Sequence, residues 1–190
     1  GRGLMVGMAA VLMAGRAAAK WPAVETPKAE PQSVPRTTSA VVVDGVLDET
    51  AWQQAWAMDL KYEVSPGENV RPPVRTEILV TYDDEAVYFG FRAFDPEPAR
   101  IRAHLYDRDN LGADDWVAVI LDTFNDERRS FDLLINPLGV QADSIETATG
   151  NEEWDGIWEA AARITEWGYA VEIRLPFSSV RFQRPNGGPQ

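Results

Sequence analysis

Residues 158–175 read WEAAARITEWGYAVEIRL, and this stretch decides the fold class. Apolar residues alternate with polar ones through its second half, on one face at Tyr169, Val171, Ile173 and Leu175. The first half alternates in the same way from Trp158 to Ile164, and Glu166-Trp167-Gly168 supplies a turn between the halves. The stretch therefore predicts an antiparallel hairpin whose two faces have different surroundings.

A second hairpin is predicted upstream, where TEILVTY (76–82) and AVYFGFRAF (86–94) flank the turn Asp83-Asp84-Glu85. Four further strands are predicted at 100–105, 116–122, 130–135 and 140–145, the last after an NPLG turn at 136–139. Many short strands with closely spaced turns predict an all-β fold, which we interpret as an antiparallel β-sandwich. One short helix is predicted near residues 48–57, with Asp48 as its cap and Trp52 and Trp56 on a core-facing side.

The ends of the chain predict export. Residues 1–19 hold Arg2, an uncharged apolar run and the triplet Ala17-Ala18-Ala19, which is the layout of a secretory signal peptide; an uncleaved membrane anchor is the alternative. Residues 20–39 are rich in proline and predict an extended linker, 40–184 one domain, and 185–190 the start of a second linker. With Gly1 in place of an initiator Met, the pattern suggests a secreted fragment from the periplasm, outer membrane or cell surface of a Gram-negative bacterium.

Charge and composition exclude several functions. The formal net charge is −12, which disfavours nucleic acid and anionic membrane surfaces as partners. The chain has no cysteine, so disulfides, thiolate metal sites and cysteine nucleophiles are excluded. Its single histidine, His104, excludes zinc sites with several histidines, and we interpret it as a strand surface residue.

Two polar segments carry the candidate site residues. The loop 146–158 (ETATGNEEWDGIW) offers Trp154 as an aromatic ligand platform, or as a hydrophobic lid, and Trp167 lies at a turn where it is either exposed or packed. Trp116 and Trp158 are interpreted as structural. The segment DRDNLGADD (107–115) suggests calcium ligands at Asp107, Asp109 and Asp114, with a solvated acidic loop as the alternative.

Several blocks in a fixed order carry a family resemblance: DGVLDETAW (44–52), TEILVTYDDEAVYFGFRAFD (76–95), DDWVAVILDTFND (114–126), NPLGVQAD (136–143) and GYAVEIRLPFSSVRF (168–182). Together they resemble carbohydrate-binding module family 9, and more closely its relatives at the front of exported bacterial proteins that end in an outer-membrane barrel-like region. The resemblance implies a β-sandwich that binds polysaccharide chain ends or short sugars, with bound calcium and with attachment to enzymes that break down polysaccharides.

The resemblance also implies where sugar would bind. The family holds a sugar ring between two aromatic side chains. The first of these places falls here on Leu111-Gly112, with Tyr106 the nearest preceding aromatic, and the second falls beyond Gln190. An acidic family position falls near Ala118, and a basic one near Asp132. The predicted ligand-binding residues are Trp154, Tyr106 and Trp167.

Two other functions remain open at this stage. The chain could be an interaction module that packs against a C-terminal barrel of the same polypeptide without binding sugar. It could also be part of a glycoside hydrolase, a class that uses two carboxylates. The adjacent pairs Asp114/Asp115 and Glu152/Glu153 do not supply them, because neighbours on a strand point to opposite faces. We predict no catalytic residue in this chain.

Overall fold

The computed structural model describes residues 32–63 and 70–182, and before them only the backbone of three short strands. The strands are β1 (Leu4–Met5), β2 (Met8–Ala9), β3 (Leu12–Ala14), β4 (Ser33–Val34), β5 (Trp56–Asp59), β6 (Thr76–Tyr82), β7 (Ala86–Phe94), β8 (Asp115–Leu121), β9 (Arg129–Ile135), β10 (Gln141–Thr147), β11 (Gly150–Glu153), β12 (Glu159–Thr165) and β13 (Gly168–Pro176). Helix α1 covers Thr50–Gln53, and 3₁₀ turns cover Pro98–Arg100 and Phe177–Ser179.

Two antiparallel sheets form a sandwich, as the alternating pattern predicts. One sheet has the order β12-β13-β7-β6-β5, and the other has the order β11-β10-β9-β8, to which β2 and β3 add along β8. The predicted hairpins are both present: Ile164 pairs with Tyr169 in the first, and Tyr82 pairs with Val87 in the second. Strand β13 lies inside its sheet, between β12 and β7.

The inner faces of the two sheets make one core. Apolar residues at opposite positions form rows across the five-stranded sheet, and one such row is Trp56, Val80, Phe89, Ile173 and Ala160. From the other sheet, Val119, Leu133 and Ile135 are fully buried against them. Trp158 is also buried, which confirms its interpretation as structural.

A third layer covers the outer face of the five-stranded sheet. Residues 41–55 pack on it with Leu47 and Trp52 above Gly90, where a Cβ atom would lie 2.6 Å from a Leu47 methyl carbon. Glu172 projects from β13 into this layer and accepts hydrogen bonds from the main-chain N–H groups of Asp44 (2.9 Å) and Gly45 (2.8 Å) and from Trp52 Nε1 (2.8 Å). The buried carboxylate therefore fixes the start of the domain to its last strand.

Three predicted elements differ in the structure. The helix is only four residues long, its N-cap is Glu49 rather than Asp48, and Trp56 begins β5 instead of sharing a helix face with Trp52. The strand predicted at 100–105 is absent, because its amides are taken by carboxylates: Arg102 N–H donates to Asp115 and His104 N–H to Asp114. His104 is therefore a loop residue.

Two boundaries also differ from the sequence prediction. The loop predicted at 146–158 begins as a hairpin, in which Thr147 pairs with Gly150 and β11 continues to Glu153. Residues 33–37 of the predicted linker contact the domain: Val34 is buried in the core, and the Thr37 N–H donates to the Tyr82 carbonyl at 2.8 Å. The predicted signal and the 185–190 linker lie outside the described residues, apart from the backbone of β1 to β3. No helix among the described residues is long and apolar enough to cross a membrane.

Candidate functional site

A cleft opens beside the turn between β9 and β10. Its volume is about 280 Å³, and its walls come from two separate segments: Leu105, Tyr106 and Arg108 on one side, and residues 138–141 on the other. The cleft combines an aromatic ring, two leucine side chains and the polar groups of Arg108 and Gln141. Ligand sites are commonly built in this way, from apolar walls and a few directed polar groups.

Tyr106 is the aromatic group of this cleft, and Gly112 holds its ring in place. A Cβ atom at Gly112 would lie 2.9 to 3.0 Å from the Tyr106 hydroxyl and the ring carbons next to it, so a side chain there would shift the end of the tyrosine. Gly112 also has a φ of +56°, a conformation that glycine adopts at low cost. Tyr106 remains 39% exposed. Its ring is thus supported on the protein side and open to solvent.

His104 lies beside Tyr106, and a buried carboxylate orients it. Asp114 accepts hydrogen bonds from the His104 main-chain N–H (2.6 Å) and from Nδ1 (2.7 Å), and Asn136 Nδ2 donates both to Asp114 (3.1 Å) and to the His104 carbonyl (2.9 Å). Burial raises the pKa of Asp114, but the hydrogen bonds from His104 and Asn136 outweigh that effect and lower it below its usual value. Asp114 is therefore an ionised acceptor at neutral pH.

Arg108 joins the cleft to the edge of the sandwich. Its guanidinium donates to Gln141 Oε1 (2.6 Å), Asp143 Oδ1 (2.9 Å) and the Gly156 carbonyl (3.0 Å), and it lies 5.7 Å from the centre of the Trp158 ring. Burial raises the pKa of Asp143. The hydrogen bonds from Trp158, Gly156 and Arg108 and the charge of Arg108 act to lower it, but burial outweighs them. Since Asp143 belongs to β10 and Trp158 precedes β12, this network ties one sheet to the other.

The structure separates the three predicted ligand-binding residues. Trp154 is partly buried with its ring centre 4.8 Å from that of Phe131, and it packs against Gly156, whose carbonyl accepts a hydrogen bond from Arg108. Trp154 therefore approaches the Arg108 network through Gly156 but does not line the cleft that contains Tyr106. Trp167 lies elsewhere: it is 38% exposed at the turn between β12 and β13, where its ring rests on Phe94 at 5.1 Å.

The predicted calcium ligands are engaged in different ways. Asp114 is held by His104 and Asn136, while Asp107 is exposed. Among the described residues, Asp109 converges instead with Asp143 and Asp155, with ligand oxygens within 4.8 Å of one another. Both oxygens of Asp143 already accept hydrogen bonds from Arg108, Gly156 and Trp158. Within this group, the Arg108 guanidinium therefore already neutralises the Asp143 carboxylate.

The two family positions named from the resemblance lie on the outer face of the other sheet. Ala118 is buried on β8, and Asp132 is buried on β9, where Ser130 Oγ donates to it at 2.8 Å. Burial raises the pKa of Asp132 to about 6, and the nearby Glu146 carboxylate adds to the rise. An acidic group thus occupies the place of the basic residue that the resemblance implied.

Sequence reasoning missed the polar part of the cleft. Arg108, Gln141 and Asp143 had no role in the prediction, because their contacts join positions more than 30 residues apart. The available signal was the alternation of Asp107, Arg108 and Asp109 in an otherwise acidic segment, where one cation among acids suggests an ion pair.

Comparisons with known proteins agree with this architecture. A family model described as carbohydrate family 9 binding domain-like matches residues 43–188. A solved structure of a carbohydrate binding module family 9 from Caldicellulosiruptor kristjanssonii in complex with cellotriose is 18% identical, with 82% of this chain and 70% of that chain covered and a TM-score of 0.55. A structure of such a module from the same organism with glucose is 17% identical, covering 82% and 72% of the two chains, with the same TM-score of 0.55. No curated protein matches the chain.

The sandwich and the family match together define a β-sandwich of the binding-domain class. The chain belongs to the carbohydrate family 9 binding domain-like family.

Proposed function

We propose that this chain binds neutral polysaccharide or oligosaccharide, without catalysis, in the cleft at Tyr106. The observation that carries the proposal is the position of the Tyr106 ring on Gly112. The family resemblance assigns an aromatic clamp to Leu111-Gly112, and the chain has no aromatic residue there. Tyr106 brings a ring to that place from six residues upstream, through a glycine that leaves room for it.

The surroundings of Tyr106 suit a sugar ring. A pyranose presents an apolar C–H face, which stacks on an aromatic plane, and hydroxyl groups at its edge, which need directed polar partners. In the cleft, Tyr106 and Leu138 supply the apolar surface. Gln141 and the loop beside it supply the polar partners. In both similar solved structures the bound molecule is a neutral sugar, cellotriose or glucose.

Charge selects among glycans. Asp107, Asp109 and Asp155 are exposed around this region, and the chain has a net charge of −12. Carboxylated or sulfated sugars would be repelled by these groups, particularly at low ionic strength. We therefore expect xylo- and cello-oligosaccharides to bind and uronic acid oligomers not to bind.

The test is a calorimetric titration of the protein with xylotriose, cellotriose and a trigalacturonate. Tyr106→Ala should weaken binding of the neutral sugars about 5- to 10-fold, because stacking of one ring is worth about 1 kcal/mol beyond area burial. Tyr106→Phe should retain most of the affinity. Tyr62→Ala is the matched control, since Tyr62 is exposed and does not line the cleft. Equal affinity of Tyr106→Ala and the wild type would contradict the proposed site.

The same titration assigns the other two predicted contacts. Trp154→Ala tests whether the partly buried ring also contributes to affinity, and Trp167→Ala tests the separate surface at Phe94. A loss confined to Trp167→Ala would move the sugar site to the turn between β12 and β13. A melting temperature measured for each variant separates lost binding from lost folding.

We further propose that the domain serves polysaccharide binding or breakdown by a larger exported polypeptide. The alternative is a packing module for another region of that polypeptide, and one observation favours it: Leu105 and Ile157 are 78% and 82% exposed. If no neutral glycan binds, the packing module becomes the leading function. Added C-terminal region of the same polypeptide should then protect these two residues from solvent in a hydrogen-exchange or labelling experiment.

A further inference from the structure

We infer that His104 determines which sugars bind: its Nε2 accepts a hydrogen bond from a hydroxyl of a neutral sugar stacked on Tyr106. The inference rests on the proposed function and adds to it the polar group that distinguishes one hydroxyl pattern from another. Nothing in the resemblance assigns this histidine a role. The geometry around its ring assigns it one.

The first step is the orientation of the imidazole. Nδ1 lies 2.7 Å from Asp114 Oδ1, and the other oxygen of the same carboxylate accepts the His104 main-chain N–H at 2.6 Å. Only 2% of the Asp114 side chain is exposed, and Asn136 holds it from the other side. An ionised carboxylate accepts hydrogen bonds and does not donate them, so the proton of the neutral ring is on Nδ1.

The second step is the state of Nε2. With the proton on Nδ1, Nε2 carries a lone pair and is a hydrogen-bond acceptor. The His104 side chain is 66% exposed, and no residue in the described ranges 32–63 and 70–182 makes a hydrogen bond to Nε2. The ring therefore offers one acceptor of fixed direction to the solvent.

The third step is the relation to the platform. The centres of the His104 and Tyr106 rings are 5.9 Å apart, and their planes are inclined at 49°. At this distance from the Tyr106 ring, the imidazole is within reach of a hydroxyl at the edge of a sugar stacked on that ring. A hydroxyl donates readily to an imidazole nitrogen, and a partner of this kind rejects analogues that lack the hydroxyl.

A metal site is the competing interpretation of a carboxylate and histidine pair, since such pairs orient many metal-binding histidines. The side chains of the described residues argue against it here. The one group of three ligand side chains that converges among them consists of Asp109, Asp143 and Asp155, and His104 does not belong to it. A sugar hydroxyl needs only the single acceptor that His104 provides.

The experiment uses the fact that the chain has one histidine. In an ¹⁵N-labelled sample of the protein, the two imidazole nitrogens give an unambiguous pair of NMR signals. Without sugar, they should show the tautomer with the proton on Nδ1. At saturating cellotriose or xylotriose, the Nε2 signal should shift as a sugar hydroxyl replaces solvent at this nitrogen, and the Nδ1 signal should change little.

Affinity gives the second measurement. His104→Ala should weaken binding of the best sugar about 3- to 10-fold, the value of one neutral hydrogen bond. One monodeoxy analogue of this sugar lacks the hydroxyl that donates to Nε2. The wild type and His104→Ala should bind that analogue with equal affinity. Tyr106→Ala, in contrast, should weaken binding of both sugars by the same factor.

The outcomes separate this inference from the proposed function. Sugar binding with an unchanged Nε2 signal overturns the role of His104 and leaves the sugar site at Tyr106 intact. Equal discrimination between the two sugars by the wild type and His104→Ala has the same meaning. If no glycan binds, the proposed function fails and this inference fails with it. Asp114→Asn, if it folds, should alter the tautomer and reproduce the loss seen in His104→Ala.

Discussion

Four buried carboxylates stand out among the described residues at the scale of single residues. Asp114 orients His104, Asp143 holds Arg108, Glu172 fixes the third layer, and Asp132 stands on an outer face with one hydroxyl donor. The first three each accept three or more hydrogen bonds. Of the four, Asp132 accepts the fewest hydrogen bonds in the described structure, and burial raises its pKa to about 6. Burial of a charge is costly unless partners replace its water.

Asp132 should therefore make stability depend on pH. Its folded-state pKa of about 6 exceeds the usual value of 3.8, so its contribution to stability is fully present below pH 3.8 and is lost as pH rises through 6. Asp132→Asn keeps the acceptor for Ser130 and removes the charge. The free energy of unfolding of Asp132→Asn, relative to that of the wild type, should rise by about 1–3 kcal/mol between pH 4 and pH 7.5. Urea unfolding at several pH values measures this.

A suitable control is Glu153→Gln, which removes an exposed carboxylate from strand β11 of the same sheet and changes the net charge equally. It should show no comparable pH dependence. A constant stability difference between Asp132→Asn and the wild type across this pH range would mean that Asp132 is solvated in the folded state.

At the scale of elements, alternation predicted the paired strands well and failed where side chains took over the backbone hydrogen bonds. The hairpins at 76–94 and 158–175 were predicted correctly, because side chains alternate between the two faces of a sheet and the sequence of each strand alternates accordingly. Residues 101–105 alternate too, yet Asp114 and Asp115 capture their amides. The helix failed for a related reason: Trp52 is placed by Glu172, 120 residues away, and not by helix periodicity.

The attachment of the third layer gives a second stability prediction. Glu172→Ala removes the acceptor for Asp44 N–H, Gly45 N–H and Trp52 Nε1 and leaves three donors without it. We expect a loss of about 2–4 kcal/mol in the free energy of unfolding, since hydrogen bonds to a charged group are worth about 1.5–3 kcal/mol each and their effects are not additive. Equilibrium denaturation followed by Trp fluorescence measures it.

Glu159→Ala provides the comparison for Glu172→Ala, because Glu159 is an exposed glutamate on the adjacent strand whose partner is Arg174. Glu159→Ala should lower the free energy of unfolding by less than about 1 kcal/mol. Similar losses for the two variants would show that the buried carboxylate contributes no more than a surface ion pair.

At the scale of the whole molecule, the sequence predicted the sandwich and the family, and it predicted the site only in part. Tyr106 was named as the nearest aromatic to a vacant clamp position, and the structure seats its ring on Gly112. Arg108 and Gln141 could not be named, since a cleft formed by a loop and a distant turn has no local sequence period. The calcium prediction at Asp107, Asp109 and Asp114 rested on spacing alone, and spacing does not reveal that Asp109 converges with Asp143 and Asp155 in the described structure.

Export is the prediction that belongs to the whole chain. The apolar run after Arg2 and the alanines at 17–19 lead us to expect cleavage near Ala19. Mass spectrometry of the protein produced in a Gram-negative host should find an N-terminus near Lys20 in the periplasmic fraction. Full-length chain in the cytoplasm would contradict the prediction, and full-length chain in the inner membrane would support an anchor instead.

The interior position of β13 has a consequence for synthesis. This strand, the last one described, inserts between β12 and β7, and the carboxylate it carries also anchors residues 44–52. During translation, the edge of β7 that pairs with β13 therefore has no partner until about 80 more residues have been synthesised. Contacts between such distant positions slow folding to the millisecond-to-second range. We therefore expect the five-stranded sheet to stay incomplete until its last strand has been synthesised, a delay that would suit the predicted export.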